Sequence, residues 1–253
     1  MNDDKERKTY PRMTSTTSSL SRGRWAGMTA LGTLLGLVLM VGGFVASVAI
    51  ATAVMPGGGE SAESNPQAEL TGYLWPIMSG LGLGLGLGSF QGGVLQRIVG
   101  NGITGRWTAA TMVGSIVGLT LMSRLMDLFE REIASFLEPF FMEENIMPVI
   151  VVALAAGMVV GLAIGVAQAV IGRVVTGVWP AISGVVWGFG FAVPATIAAS
   201  GAYRQTLGTL VLAPEAATVG EIAAAVAVIT LAMALATALV SFLLPPRLRS
   251  LPS

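Results

Sequence analysis

The chain has 253 residues, of which 53% are hydrophobic and only 11% charged, and its mean hydropathy is +0.76. A soluble domain carries about 25% charged residues, so an ordinary water-soluble globule is excluded. The 14 basic and 14 acidic residues cancel, and the absence of Cys and His removes disulfides, thiolate chemistry and the commonest general base and metal ligand.

Long apolar runs bounded by charge predict an all-α, polytopic membrane helix bundle with six transmembrane helices. Residues 1–24, rich in Ser, Thr and charge, read as a disordered cytoplasmic tail ahead of a six-helix domain over 25–245. The predicted spans are Ala26 to Met55, Tyr73 to Leu95, Trp107 to Ser123, Pro148 to Ile171, Trp179 to Ala202 and Ile222 to Leu244. The first imitates a secretory signal ending in Ala51-Thr52-Ala53, but its apolar stretch far exceeds an h-region of about 7–15 residues. In the second, the Leu-Gly alternation from Leu81 to Gly88 resembles a strand. A lone strand in hydrocarbon would leave its backbone unpaired, so a helix is expected. Between the third and fourth spans, 126–145 has apolar residues at mostly helical spacing with acidic ones between, and reads as an amphipathic segment along the outer interface. Pro194, deep in the fifth span, predicts a kink, and Trp187 is expected inside the bundle or against lipid. The segment from Pro56 to Gly72 and the linker around Pro214 read as solvated loops, and 246–253 as a second cytoplasmic tail.

Charge gives the orientation. Lys5, Arg7, Lys8, Arg12, Arg22, Arg24, Arg97, Arg106, Arg173, Arg247 and Arg249 fall on one face, whereas only Arg124, Arg131 and Arg204 fall on the other. The positive-inside rule then places both termini in the cytoplasm and the chain in the inner (plasma) membrane. Trp25, Trp107 and Trp179 each open a span beside these cations and read, with Arg97 and Arg173, as anchors at the inner interface.

The chain also repeats itself. Gly84-x3-Gly88-x2-Gln91 then Arg97 matches Gly161-x3-Gly165-x2-Gln168 then Arg173, and Ala234-x3-Ala238-x2-Ser241 is a worn third copy. The helices opened by tryptophan match too: Trp107, Thr111, Gly114 and Gly118 align with Trp179, Ser183, Val186 and Gly190, and with Trp25, Thr29, Gly32 and Gly36. Three pseudo-repeated hairpins related about the membrane normal are expected, their small-residue stripes allowing close helix packing.

Gln91 and Gln168 lie within hydrocarbon depth and must find partners. Either they form interhelical hydrogen bonds, with Thr111 or Ser183 of the following helix as candidates, or they line a solute path. Gly100-Asn101-Gly102-Ile103-Thr104-Gly105 spells G-x-G-x-x-G but joins two membrane helices rather than a strand and a helix, so a turn is expected and not a nucleotide site.

The pattern of Gly84, Gly88, Gln91, Arg97 and Trp107, seen again as Gly161, Gly165, Gln168, Arg173 and Trp179, is similar to that of uncharacterised bacterial multi-pass membrane proteins with repeated G-x-x-x-G-x-x-Q helical hairpins. The resemblance covers roughly residues 73 to 202 and implies a fold but no activity.

The expected function is that of a structural or accessory component of a membrane complex, with a small-solute transporter or channel as the alternative. An enzyme is disfavoured, because no span contains Asp, Glu or Lys. No catalytic residue, metal or cofactor is expected. Expected partners are the bilayer and other membrane subunits, or a second copy meeting Gly/Ala faces, with no nucleic acid.

Overall fold

The computed structural model describes residues 21–55, 66–143, 146–199, 219–246 and 248. Among these the chain forms seven helices: α1 (Arg22–Val54), α2 (Pro66–Val99), α3 (Ile103–Leu128), α4 (Glu130–Glu143), α5 (Met147–Ala167, continued by a π-helical turn Gln168–Gly172), α6 (Trp179–Ala199) and α7 (Val219–Leu243). All but α4 are long and apolar enough to cross a membrane. Helix is the only open-ended element that satisfies its own backbone in lipid, and the Leu-Gly run is accordingly helical within α2.

The helices differ in extent from the spans read off hydropathy. α1 and α2, at 33 and 34 residues, reach about 50 Å, well past a hydrocarbon core of roughly 30 Å. α1 begins at Arg22, so three residues assigned to the tail are helical, and residues 1–20 lie outside the described ones. α2 takes in 66–72, expected as loop, while 56–65 lie outside the described residues. α3 extends to Leu128, and near its far end Arg124 pairs with Asp127 at 3.3 Å and lies 4.6 Å over the Tyr73 ring of α2. The amphipathic segment is therefore shorter than expected. The chain breaks at Phe129, and α4 carries the rest to Glu143.

α6 runs unbroken from Trp179 through Pro194, and its end beyond Ala199, with Tyr203, Arg204 and the linker around Pro214, lies outside the described residues. The expected second tail starts docked instead. Pro246 is buried, and Leu248 forms an antiparallel bridge with Val175 and packs on the tryptophan cluster described below.

The six long helices close into a ring in chain order: α1 packs on α2, α2 on α3, α3 on α5, α5 on α6, α6 on α7, and α7 on α1. Positions matched in the sequence alignment make matched contacts. Gly32 of α1 lies against Leu87 of α2, as Gly114 of α3 lies against Ile164 of α5, and Gly36 and Gly118 meet Leu83 and Val160 in the same way. In the alternate interface Gly88 meets Thr108 and Thr111, as Gly165 meets Pro180 and Ser183. Glycine is needed because backbone faces backbone: a methyl on Gly36 would stand 2.8 Å from the Leu83 carbonyl oxygen, and one on Gly80 2.7 Å from the Ile116 Cα. Inside the ring, Leu37, Leu83, Leu87, Leu119, Val160, Ile164, Val186, Trp187 and Met233 form one core.

Gly84→Ala should therefore cost about 1–3 kcal/mol, because its methyl would fall on the backbone of Met112. Gly93→Ala, with open space at that point, should be neutral or slightly stabilising through helix propensity. Thermal unfolding of the two variants in the same detergent, followed by circular dichroism, checks the contrast.

Candidate functional site

The ring brings the repeated polar residues together at the end where α3 and α6 begin. Trp107 and Trp179 open or nearly open those helices, and Trp25 lies in the first turn of α1. The three indoles form a nearly equilateral triangle: centroids are 6.4 Å apart for Trp25 and Trp107, 6.1 Å for Trp25 and Trp179, and 6.4 Å for Trp107 and Trp179. Two of the pairs meet edge to face, the arrangement favoured by the ring quadrupole. Exposure of the three is 0%, 0% and 3%. They point into the bundle, where Val94, Leu95, Ile103, Val174 and Val175 surround them. For Trp107 and Trp179 the indole N–H finds an acceptor inside.

That acceptor is glutamine. Trp107 Nε1 donates to Gln91 Oε1 at 3.2 Å, and Trp179 Nε1 donates to Gln168 Oε1 at 2.6 Å. Each amide NH2 turns the other way: Gln91 Nε2 donates to Thr29 Oγ1 at 3.1 Å, and Gln168 Nε2 donates to Thr111 Oγ1 at 2.9 Å. A longer contact of 3.4 Å from Gln168 Nε2 to Gln91 Oε1 joins the two halves, and Thr111 Oγ1 donates onward to the Trp107 carbonyl at 2.8 Å. Both glutamines are buried, at 4% and 1% exposure. The sequence pointed to interhelical bonds with the following helix. The hydroxyl acceptors are one helix earlier, and the following helix supplies the tryptophan instead.

Each carboxamide thus bridges three helices, accepting from the next odd-numbered span and donating to the previous one. The spacing that allows this is Trp-x3-Thr or Trp-x3-Ser, which puts indole and hydroxyl one turn apart on one face at Trp25/Thr29, Trp107/Thr111 and Trp179/Ser183. Thr29 and the tryptophans are the partners that the reading of isolated spans missed, although the aligned repeats contain that signal.

The arginines stay outside this network. Arg97, exposed at the end of α2, lines with Arg24 a groove of about 290 Å3 walled by Met28, Phe90, Gly93 and Val94. Arg173, also exposed, turns the chain in the left-handed region at φ 60° and donates from Nε to the Val170 carbonyl at 3.3 Å. Arg106 Nη2 donates to the Ile171 carbonyl at 3.1 Å, meeting a carbonyl that the π-turn frees. That turn starts at Gln168 itself, and such π-turns concentrate where a side chain must be re-aimed. In the G-x-G-x-x-G segment, Gly100 and Gly102 take φ of 107° and 87° and form a tight turn before α3.

Among the described residues no group of three His, Cys, Asp or Glu could hold a metal. No protein-family model, curated protein or solved structure matches the chain.

Replacing either carboxamide with an apolar isostere strands an indole N–H in a dry interior. Gln91→Leu and Gln168→Leu should each lower stability by about 1–3 kcal/mol. The double variant should lose less than the sum, because the two share the bond between them. Unfolding of the four proteins in lipid bicelles gives the coupling directly.

Proposed function

We propose that this chain is a non-catalytic integral membrane protein that serves as a structural or accessory subunit, held in the inner membrane with both termini cytoplasmic. The observation that carries the reading is how the polar groups of the interior are used. Gln91 and Gln168 spend their donors and acceptors on Thr29, Thr111, Trp107, Trp179 and each other. The axis beside them is filled by Leu87, Ile164 and Trp187, and the cavity there measures about 10 Å3. The tryptophan triangle blocks one end. Glutamines whose bonds are spent within the bundle suit a rigid scaffold better than a solute path, whose groups must be free to exchange partners with the solute.

The outer surface supports the same reading. Between α3 and α5 runs an apolar groove of about 680 Å3, lined by Val113, Val117, Leu121, Val159, Leu162 and Val166. Gly114 and Ala163 at its floor keep it deep enough for a neighbouring helix or an acyl chain. The orientation rests on the asymmetry of arginine and lysine, with Arg24, Arg97, Arg106 and Arg173 all at the tryptophan end.

Liposomes containing only this protein should hold small ions and neutral solutes as tightly as protein-free ones, while mild-detergent extracts of its native membrane should carry it in a complex with other subunits. Flux that disappears in the Gln91→Leu, Gln168→Leu double variant would instead establish a transport path. Epitopes placed beside Asn2 and Ser253 should both be protected in intact cells and both become accessible after permeabilisation.

A further inference from the structure

Arg24 of α1 and Arg97 of α2 line one groove at the tryptophan end, and among the described residues neither side chain has a hydrogen bond or an ion pair. No carboxylate is at hand. The described Asp and Glu residues sit in the first turns of α2 and α7, in the last turn of α3 and in α4, all at the other end of the bundle. The next hairpin shows the same two positions put to a different use. There Arg106 and Arg173 donate to the carbonyls of Ile171 and Val170, and the matching groove between α3 and α5 is lined by no charged residue. The α1–α2 groove is also hollowed out where its counterpart is filled: two residues past the glutamine, α5 has Val170 and α2 has Gly93, at which an added methyl would meet nothing. Deeper along the pair the helices close again, since a methyl on Gly32 would stand 3.0 Å from the Leu87 Cα and 3.2 Å from the Phe90 Cβ.

We propose that this groove of about 290 Å3 binds one phospholipid with a net negative headgroup, its phosphate between Arg24 and Arg97 and an acyl chain lying over Met28, Phe90 and Gly93. The inference needs the tryptophan end to lie at a membrane surface, on either side of the bilayer, and does not depend on the accessory role. A guanidinium presents a planar fork of donors that matches phosphate oxygens in pairs, and basic pockets between membrane helices take up anionic headgroups for that reason. Met28 is four residues inside Arg24 and Phe90 seven inside Arg97, so the apolar wall lies about 6–10 Å deeper than the charged rim. Charge above and hydrocarbon below is the order in which a lipid presents its own parts. A free anion would answer the arginines and leave the wall uncovered, whereas a zwitterionic headgroup would bring a cation of its own against them.

The test is native mass spectrometry of the full chain released from mild detergent after incubation with equal amounts of phosphatidylglycerol and phosphatidylcholine carrying the same acyl chains. The unaltered protein should keep one phosphatidylglycerol in preference to phosphatidylcholine by about tenfold. The Arg24→Gln, Arg97→Gln double variant should bring that preference close to one, while Arg22→Gln, an exposed cation at the same end but outside the groove, should leave it as it was. Gly93→Leu fills the groove without touching either charge and should lower phosphatidylglycerol retention several-fold. Inorganic phosphate in excess should not displace the lipid. Equal retention of the two lipids by the unaltered protein overturns the proposal, and that measurement decides even if a variant fails to fold. Retention that survives the double arginine change or the Gly93→Leu change, that falls equally with Arg22→Gln, or that yields to inorganic phosphate overturns it as well.

Discussion

A carboxamide in hydrocarbon has two donors and an acceptor to satisfy and no solvent to help, and around that constraint the bundle is organised. Gln91 and Gln168 meet it by reaching across the interior to helices on both sides of their own. Each bond in a membrane interior is worth only about 0.6 kcal/mol on average, but an abandoned partner costs more than a made bond returns. The network therefore matters less as glue than as a rule about which arrangements are permitted. A rotation of α2 or α5 that released one bond would strand an indole and an amide at once.

Reaching several helices with one side chain demands that those helices stand close, which is where the glycine stripes enter. Gly84, Gly88, Gly161 and Gly165 lie one to two turns from the glutamines and bring backbone against backbone at the two matched interfaces. Oil-like lipid offers no hydrophobic drive for this approach, so dispersion contacts between smooth faces have to supply it. The exposed large residues, such as Leu31, Val38, Val117, Val170 and Leu239, face outward and match the bilayer.

The spans and their helical character were legible from hydropathy and charge, since those properties are what the bilayer itself responds to. The pairing of repeats was legible in outline, because Gly-x3-Gly-x2-Gln and Trp-x3-Thr/Ser each mark one helix face. Which way the tryptophans point was not. A tryptophan at a helix start beside arginine suits the headgroup region equally well, and only the helical phase it shares with Thr29, Thr111 or Ser183 separates the two placements. The π-turn at Gln168 left one trace, a spacing to Arg173 one residue shorter than from Gln91 to Arg97, with nothing to say that the helix would widen. The bridge between Val175 and Leu248 had no signal, because an isolated backbone pair has no periodicity to read.

The seam between α1 and α7 joins positions 204 residues apart, as in the contact of Thr33 with Thr237. Five of the six interfaces connect spans that follow one another during synthesis, so the bundle can assemble as each pair emerges, but this one cannot form until the ribosome has produced α7. Until then Thr33 on α1 lacks its partner from α7. The ring is then closed only by the last of its helices, so a chain cut short before α7 would leave its interior open along one side.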